Sequence, residues 1–225
     1  MDWPRFNRYR SIPRSTASFE QASFNDVPFN YSETLGGVTY PLHAYIQALY
    51  DNGFTAGTST NPPLFSPTVI LDRAQSSVFM LRGAVGTGYT PPDAPWNTFG
   101  DNWGPGPWAE KWAEGMWAEG LTAGCQASPL RYCPWIQLPR VQAVIFGLKM
   151  ERGNSYTPSD ALGTVFADMT DPGFYGTKWA EQAYADGLLP ACGASGGKPL
   201  FCPNSPVDRA WAAYLIVQAR SLPLP

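Results

Sequence analysis

The 225-residue sequence has little charge, a single histidine and no long apolar run. Charged residues make up 15% of the chain and the formal net charge is −3, so we expect no surface that binds nucleic acid. No apolar stretch approaches the roughly 20 residues of a membrane-spanning helix, so we do not predict membrane insertion. The first residues, MDWPRFNRYRSIPRS, also lack the basic-then-apolar pattern of a signal peptide.

The sequence gives little support for catalysis. His43 is the only histidine, so a Ser-His or Cys-His relay has one candidate base, and such a residue is more often a partly exposed helix position. Carboxylate pairs such as Asp101 with Glu110 or Glu114 can be drawn in most secreted proteins. The sequence contains no phosphate-binding loop and no metal-binding motif. We therefore predict a protein that is not an enzyme and that needs no cofactor or metal.

The chain is rich in aromatic residues and repeats one pattern three times. The copies read LFSPTVILDRAQSSVFMLRG, RYCPWIQLPRVQAVIFGLKM and LFCPNSPVDRAWAAYLIVQAR. In each copy an arginine follows a proline by six residues and begins an apolar run; these arginines are Arg73, Arg140 and Arg209. An aromatic-x-Asp motif precedes each copy, at Asp26, Asp101 and Asp168. The first copy has eight more residues than the second between this aspartate and the glycine that ends NGFTAG or EGLTAG.

Each copy is predicted to form an amphipathic helix ended by glycine, a loop, and a second helix that starts near the arginine. One such helix pair cannot bury its apolar face alone, whereas three copies can share a core. The predicted boundaries are an N-terminal arm at 1–23, repeats at 24–83, 99–150 and 166–220, linkers at 84–98 and 151–165, and a tail at 221–225.

The four cysteines are predicted to form two local disulfides. Cys125 and Cys133 are eight residues apart, and Cys192 and Cys202 are ten apart. In the first copy both matching positions lack cysteine, which is what the loss of a disulfide produces. A zinc site with four thiolates is the alternative, but the spacing is wider than in zinc modules and the pairs belong to different copies. Two disulfides imply an oxidising, exported location.

The ordered motifs Phe-x-Asp, a Trp-Ala helix ending in Gly-Leu-Thr-x-Gly, aromatic-x-Pro and Arg-Ala-Gln resemble the S-layer homology (SLH) repeat. Three tandem copies of a cysteine-containing type cover residues 24–220. The resemblance implies a mainly α fold, in which three helix-loop-helix repeats form a pseudo-threefold, three-pronged arrangement around a central helical bundle. In that family, grooves between repeats hold acidic, typically pyruvylated, sugars of cell-wall polymers and anchor exported proteins at the cell surface.

The resemblance also implies the binding residues. The ligand-facing arginine of the family motif Thr-Arg-Ala-Glu matches Arg73, Arg140 and Arg209, and a guanidinium beside a helix N-terminus suits a carboxylate. The turns that end at Gly57 and Gly124 are expected to bring backbone amides near the ligand. The motif threonine is replaced by Asp72, Pro139 and Asp208. Because proline adds no negative charge, we expect the groove of Arg140 to be the most favourable one.

A structural role is the alternative for the three arginines. Each could pair with the aspartate at the start of a repeat, Asp26, Asp101 or Asp168, and so hold the repeats together.

The sequence thus predicts a non-catalytic, extracellular module at the cell surface that binds acidic, for example pyruvylated, cell-wall polysaccharide and anchors an exported protein. The alternative is a structural subunit of a surface layer, sheath or filament, in which protein-protein contacts build a homo- or hetero-oligomer.

Overall fold

Helices and short hairpins alternate along the chain in the computed structural model, which describes residues 23–104 and 106–225. The helices are α1 Leu42–Asp51, α2 Arg73–Val85, α3 Trp108–Ala118, α4 Arg140–Arg152, α5 Thr177–Ala185 and α6 Arg209–Arg220. Four antiparallel hairpins pair β1 Glu33–Leu35 with β2 Val38–Tyr40, β3 Ser59–Thr60 with β4 Pro63–Leu64, β5 Gln126–Ala127 with β6 Leu130–Arg131, and β7 Gly193–Ser195 with β8 Lys198–Leu200. The arm predicted at 1–23 lies outside the described residues except for Ser23.

The predicted fold class is wrong. Helices contain 34% of the described residues, and every connection that was expected to be a loop between two helices of a repeat contains a hairpin. A further hairpin, β1–β2, precedes α1. The protein is therefore mixed α/β, and it is not a mainly α set of three helix-loop-helix repeats around a helical bundle. Strands of two or three residues are too short to show an alternating pattern in the sequence, which is why they escape prediction.

The described chain contains three helix-hairpin-helix units. Unit 1 contains α1, β3–β4 and α2, unit 2 contains α3, β5–β6 and α4, and unit 3 contains α5, β7–β8 and α6. Two positions after the last residue of the first helix, each unit has a glycine with positive φ: Gly53, Gly120 or Gly187. In each case the next residue, Phe54, Leu121 or Leu188, donates its N–H five residues back to a helix carbonyl. These Schellman motifs stop the helix and direct an apolar side chain into the core.

The second helix of each unit begins at its arginine and has a well-defined N-cap. Asp72 accepts a hydrogen bond from Gln75 N at 2.6 Å, and Asp208 accepts one from Trp211 N at 2.9 Å. Both aspartates thus satisfy backbone donors that would otherwise be free in the first turn. In unit 2, Pro139 takes the cap position without a side-chain acceptor.

The residues just before these second helices meet in a closed ring of hydrogen bonds. Leu138 N donates to Leu71 O at 2.8 Å, Val207 N to Leu138 O at 2.9 Å, and Leu71 N to Val207 O at 2.9 Å. All three side chains are buried. Each unit therefore donates to one neighbour and accepts from the other, and the third unit is joined back to the first.

Helix packing follows the same cyclic order. Helix α3 packs on α2, α5 on α4 and α1 on α6, while α2, α4 and α6 contact one another. The first helix of each unit is thus covered by the second helix of a different unit, so no unit buries its own apolar faces alone. None of the helices in residues 23–104 and 106–225 has the length and apolar character needed to cross a membrane.

Disulfides close the hairpins of units 2 and 3, where Cys125 is bonded to Cys133 and Cys192 to Cys202. In unit 1 the matching positions hold Thr58 and Ser66, whose hydroxyl oxygens are 2.7 Å apart and share a hydrogen bond. The two disulfides indicate an oxidising environment, such as the outside of the cell.

The pair Thr58 and Ser66 suggests how a disulfide can be replaced. Changing Cys125 and Cys133 to alanine is expected to lower the free energy of unfolding by roughly 2–3 kcal/mol, because the open chain gains loop entropy. Changing them to threonine and serine should recover about 0.5–1.5 kcal/mol of this loss through the hydroxyl pair. Urea denaturation of the two double variants measures the difference. Equal stability of both variants would show that the hydroxyl pair contributes nothing.

Candidate functional site

The three predicted binding arginines are almost completely buried. Arg73 is 2% exposed, Arg140 is 4% exposed and Arg209 is 6% exposed. Each donates its Nε–H to the backbone carbonyl of an aromatic residue in another unit, and its guanidinium lies over the ring of that same residue. The pairs are Arg73 with Tyr132 (N–O 2.7 Å), Arg140 with Phe201 (2.8 Å) and Arg209 with Phe65 (2.7 Å).

The aspartates at the start of each repeat hold the same aromatic residues from the other side. Each carboxylate accepts hydrogen bonds from two consecutive backbone N–H groups, at 2.6–2.9 Å. The acceptors are Asp26 for Phe65 and Ser66, Asp101 for Tyr132 and Cys133, and Asp168 for Phe201 and Cys202. We call each set of one arginine, one aromatic residue and one aspartate a clamp.

The clamp differs from the direct ion pair considered as the alternative role. Within residues 23–104 and 106–225 no arginine–aspartate pair of a clamp is in salt-bridge contact. The arginine and the aspartate instead bind the same short backbone segment: the arginine donates to its C=O, and the aspartate accepts from its N–H groups. Burial lowers the pKa of Arg140 and of Arg209 to about 10, so both stay charged at neutral pH. The hydrogen bonds and the aromatic ring compensate for removing these charges from water.

One of the three arginines also lines an open groove. This groove, the Arg73 groove, has a volume of about 340 Å³. Its wall includes the turn 121–125, Gln142 and Lys149 of α4, and Tyr175 and Trp179 from the start of unit 3. No acidic residue of the described chain lines it, whereas Arg73 and Lys149 bring two positive charges. The groove is therefore suited to an anion.

The donors of Arg73 are only partly used. Its Nη1–H donates to the side-chain oxygen of Gln142. Its Nη2 is buried and has no hydrogen-bond partner among residues 23–104 and 106–225. A buried guanidinium N–H without an acceptor is costly. Lys149 lies nearby and donates to Gly120 O at 2.6 Å, and partial burial lowers its pKa.

The two predicted glycines shape the turns that follow α1 and α3. Gly124 has φ +78° and its N–H donates to Thr122 Oγ1 at 3.0 Å; a side chain there would collide with Arg131 O. Gly57 has φ +83° and donates to Thr55 Oγ1 in the same way. Glycine is thus required by the turn itself. Only Gly124 lies on the wall of the Arg73 groove.

The other two arginines are in different surroundings. Arg140 donates from Nη2 to Pro190 O at 2.6 Å, so its guanidinium is bonded to two backbone carbonyls. Arg209 lies between the rings of Phe65 and Phe79, at 4.7 and 4.8 Å. The expected preference for Arg140 is therefore not supported, and the geometry favours Arg73.

Sequence reasoning missed Gln142, Lys149 and Tyr175 as groove residues. Gln142 and Lys149 are seven residues apart, so they lie two turns apart on one face of α4. The spacing predicts that both residues lie on one helix face, but nothing in the sequence shows that this face borders a cavity. No protein-family model matches the chain, and a search of curated proteins finds no match. The proposed function therefore rests on the geometry of the Arg73 groove.

Replacing a clamp arginine tests its structural role. Arg140→Lys keeps the charge but removes the Nε–H that binds Phe201 O, so it should lower the free energy of unfolding by about 2–4 kcal/mol. Arg220→Lys, at the exposed end of α6, should change it by less than about 0.5 kcal/mol. Urea denaturation compares the two variants. Equal stabilities would show that the clamp is dispensable.

The cap of α6 generates a pH prediction. Burial raises the pKa of Asp208 to about 7, and the charge of Glu33 acts in the same direction. The folded protein therefore binds a proton more tightly than the unfolded chain, so this contribution to stability is complete below about pH 4 and is lost as the pH rises through 7.

Asp208→Asn keeps an acceptor for Trp211 N but does not titrate. Relative to the wild type, this variant should gain stability between pH 4 and pH 8, on the order of 1–2 kcal/mol once partial exposure is allowed for. Thermal unfolding across that pH range measures the difference. Parallel profiles for variant and wild type would contradict the raised pKa.

Proposed function

We propose that the Arg73 groove binds the acidic group of a cell-wall sugar and that the protein is a non-catalytic cell-surface module of the SLH type. The observation that carries this proposal is an open groove lined by two cations, Arg73 and Lys149, and by no acidic residue of the described chain. A carboxylate such as that of a pyruvate ketal complements these two positive charges.

The electrostatics favour a carboxylate over a neutral group. The guanidinium of Arg73 is desolvated, so its attraction for an anion is weakened less by water than that of an exposed side chain. Lys149 adds a second positive charge on the same wall. Arg209 also has an unpartnered Nη2 within residues 23–104 and 106–225, but the rings of Phe65 and Phe79 flank its guanidinium.

The remaining wall suits a sugar ring. Tyr175 is 54% exposed on the groove wall, so its ring is available for the apolar face of a pyranose. Thr122 and Gln142 supply hydroxyl and amide groups for sugar hydroxyls. A volume of about 340 Å³ is at the lower end of small-molecule sites and accommodates a single modified sugar.

The disulfides support a location outside the cell, where such a polymer is found. Attachment to the cell surface and the anchoring of an exported partner belong to this proposal.

The second candidate is a structural subunit held by protein contacts. The observation that favours it is an exposed apolar patch in unit 2, where Trp108 and Trp135 both lie against Gly106 and Ile136 follows in the chain. Exposed tryptophan with a neighbouring aliphatic residue is typical of protein-protein contacts.

Pull-down on isolated cell-wall polymer, with and without mild acid removal of pyruvate ketals, tests the proposal. The wild type should bind the intact polymer and lose binding after the acid treatment. Lys149→Gln should weaken binding about five- to tenfold, because one cation leaves the groove while the clamp is untouched. Lys198→Gln, which makes the same change on an exposed strand outside the groove, should bind as the wild type does.

Equal binding to treated and intact polymer, together with equal binding by Lys149→Gln and the wild type, would contradict the acidic-sugar site. In that case a Trp135→Ala variant that lowers the oligomeric state in sedimentation would support the structural subunit.

A further inference from the structure

Arg140 faces unit 3 as Arg73 faces unit 2. Its Nε–H binds Phe201 O, and its Nη2–H binds Pro190 O in the turn that follows α5. The position on α6 that matches Gln142 on α4 holds Trp211, and Tyr214 follows one turn later. By position, the turn 188–192 and Trp211 correspond to the turn 121–125 and Gln142 on the wall of the Arg73 groove, and we call the region between them the Arg140 groove.

The extra residues of the first repeat lie against the Arg140 groove. They include the hairpin β1–β2, which has no counterpart in the described residues of the other two units. At its tip, Gly36 approaches the backbone of unit 3 so closely that a Cβ there would be 3.0 Å from Ala191 O and from Gly193 N. A residue with a side chain would not fit, so the tip is in direct contact with the turn.

Tyr40 at the base of the hairpin completes the contact. Its ring meets Trp211 edge-on at 5.2 Å and Tyr214 at 6.2 Å. Burial raises the pKa of Tyr40, and the positive charge of Arg140 acts in the opposite direction.

We propose that the β1–β2 hairpin is a built-in occupant of the Arg140 groove, and that moving it away opens a second carboxylate-binding site. The inference rests on the proposed function, because it assigns the same ligand chemistry to the second groove. Tyr40 and the hairpin tip stand where an acidic sugar would otherwise contact Arg140, the turn 188–192 and the ring of Trp211.

The hairpin lies outside the contacts that join the three units. Each of its strands has three residues, and none of the six is fully buried. A two-stranded hairpin of this size is marginally stable in water without support. Its displacement would leave the ring of hydrogen bonds and the clamps unchanged, since neither includes a residue of 33–40.

The experiment compares binding stoichiometry with and without the hairpin. Glu33 and Tyr40 are paired in the hairpin register, so two glycines can replace residues 33–40 without stretching the chain. Isothermal titration uses a methyl hexopyranoside that carries a 4,6-linked pyruvate ketal, with the unmodified glycoside as control. The wild type should bind one equivalent and the shortened variant two.

Two further variants locate the second site. Tyr40→Ala removes the ring that packs on Trp211 and Tyr214 and should also raise the stoichiometry above one equivalent, whereas Val38→Ala, which alters an exposed residue of the same hairpin, should bind one. In the shortened variant, Lys149→Gln should weaken one site and leave the other unchanged. Circular dichroism confirms that each variant is folded, and Tyr40→Ala serves as the test if the shortened chain does not fold.

The outcomes separate this inference from the proposed function. One equivalent in the wild type and still one in the folded variants would overturn the hairpin's role and leave the Arg73 groove intact. No binding by the wild type but one equivalent after shortening would support the covered groove and refute the Arg73 groove. No binding by any variant would overturn both.

Discussion

A buried guanidinium bound to a backbone carbonyl joins each unit of this protein to the next, and the rest of the architecture depends on that contact. The aromatic residue at the junction, Phe65, Tyr132 or Phe201, is held by an aspartate through its N–H, by an arginine through its C=O and by the same arginine over its ring. The charge of each buried arginine is tolerated because the clamp provides both a carbonyl acceptor and an aromatic ring for the guanidinium. The clamp fixes where the second helix of one unit meets the hairpin of another, and so it sets the position of the grooves.

The three arginines share this role in the fold. Three identical side chains differ because of what surrounds their outer nitrogens. Arg73 faces an open groove with Lys149, Arg140 faces a backbone carbonyl and the β1–β2 hairpin, and Arg209 lies between two phenylalanine rings. These differences come from neighbours that are distant in sequence. For this reason changes at Lys149 and Tyr40, which leave the clamps intact, are more informative than removal of an arginine.

Local features could be predicted from the sequence, whereas features that depend on contact between units could not. The glycines that end α1, α3 and α5 and the arginines that begin α2, α4 and α6 follow from rules that act within a few residues. The cysteine spacing likewise indicated the pairs found in the structure. Two of the hairpins carry a readable Gly-Gly turn, at Gly36–Gly37 and Gly196–Gly197, but the other two do not. The burial of the arginines and the place of the extra residues depend on neighbouring units. The greater length of the first repeat shows that residues have been added. It does not show which part of the fold those residues cover.

The closed ring of backbone hydrogen bonds has a consequence for biosynthesis. In a linear repeat array the first units can fold while later ones are still being made, because each unit needs only the unit beside it. Here α1 packs on α6, and Arg209 binds the carbonyl of Phe65, 144 residues earlier in the chain. The N-terminal unit thus stays incomplete until the C-terminal helix has been synthesised. A nascent chain of this kind emerges from the ribosome without a finished core, a state compatible with threading through a narrow translocation channel before folding on the far side.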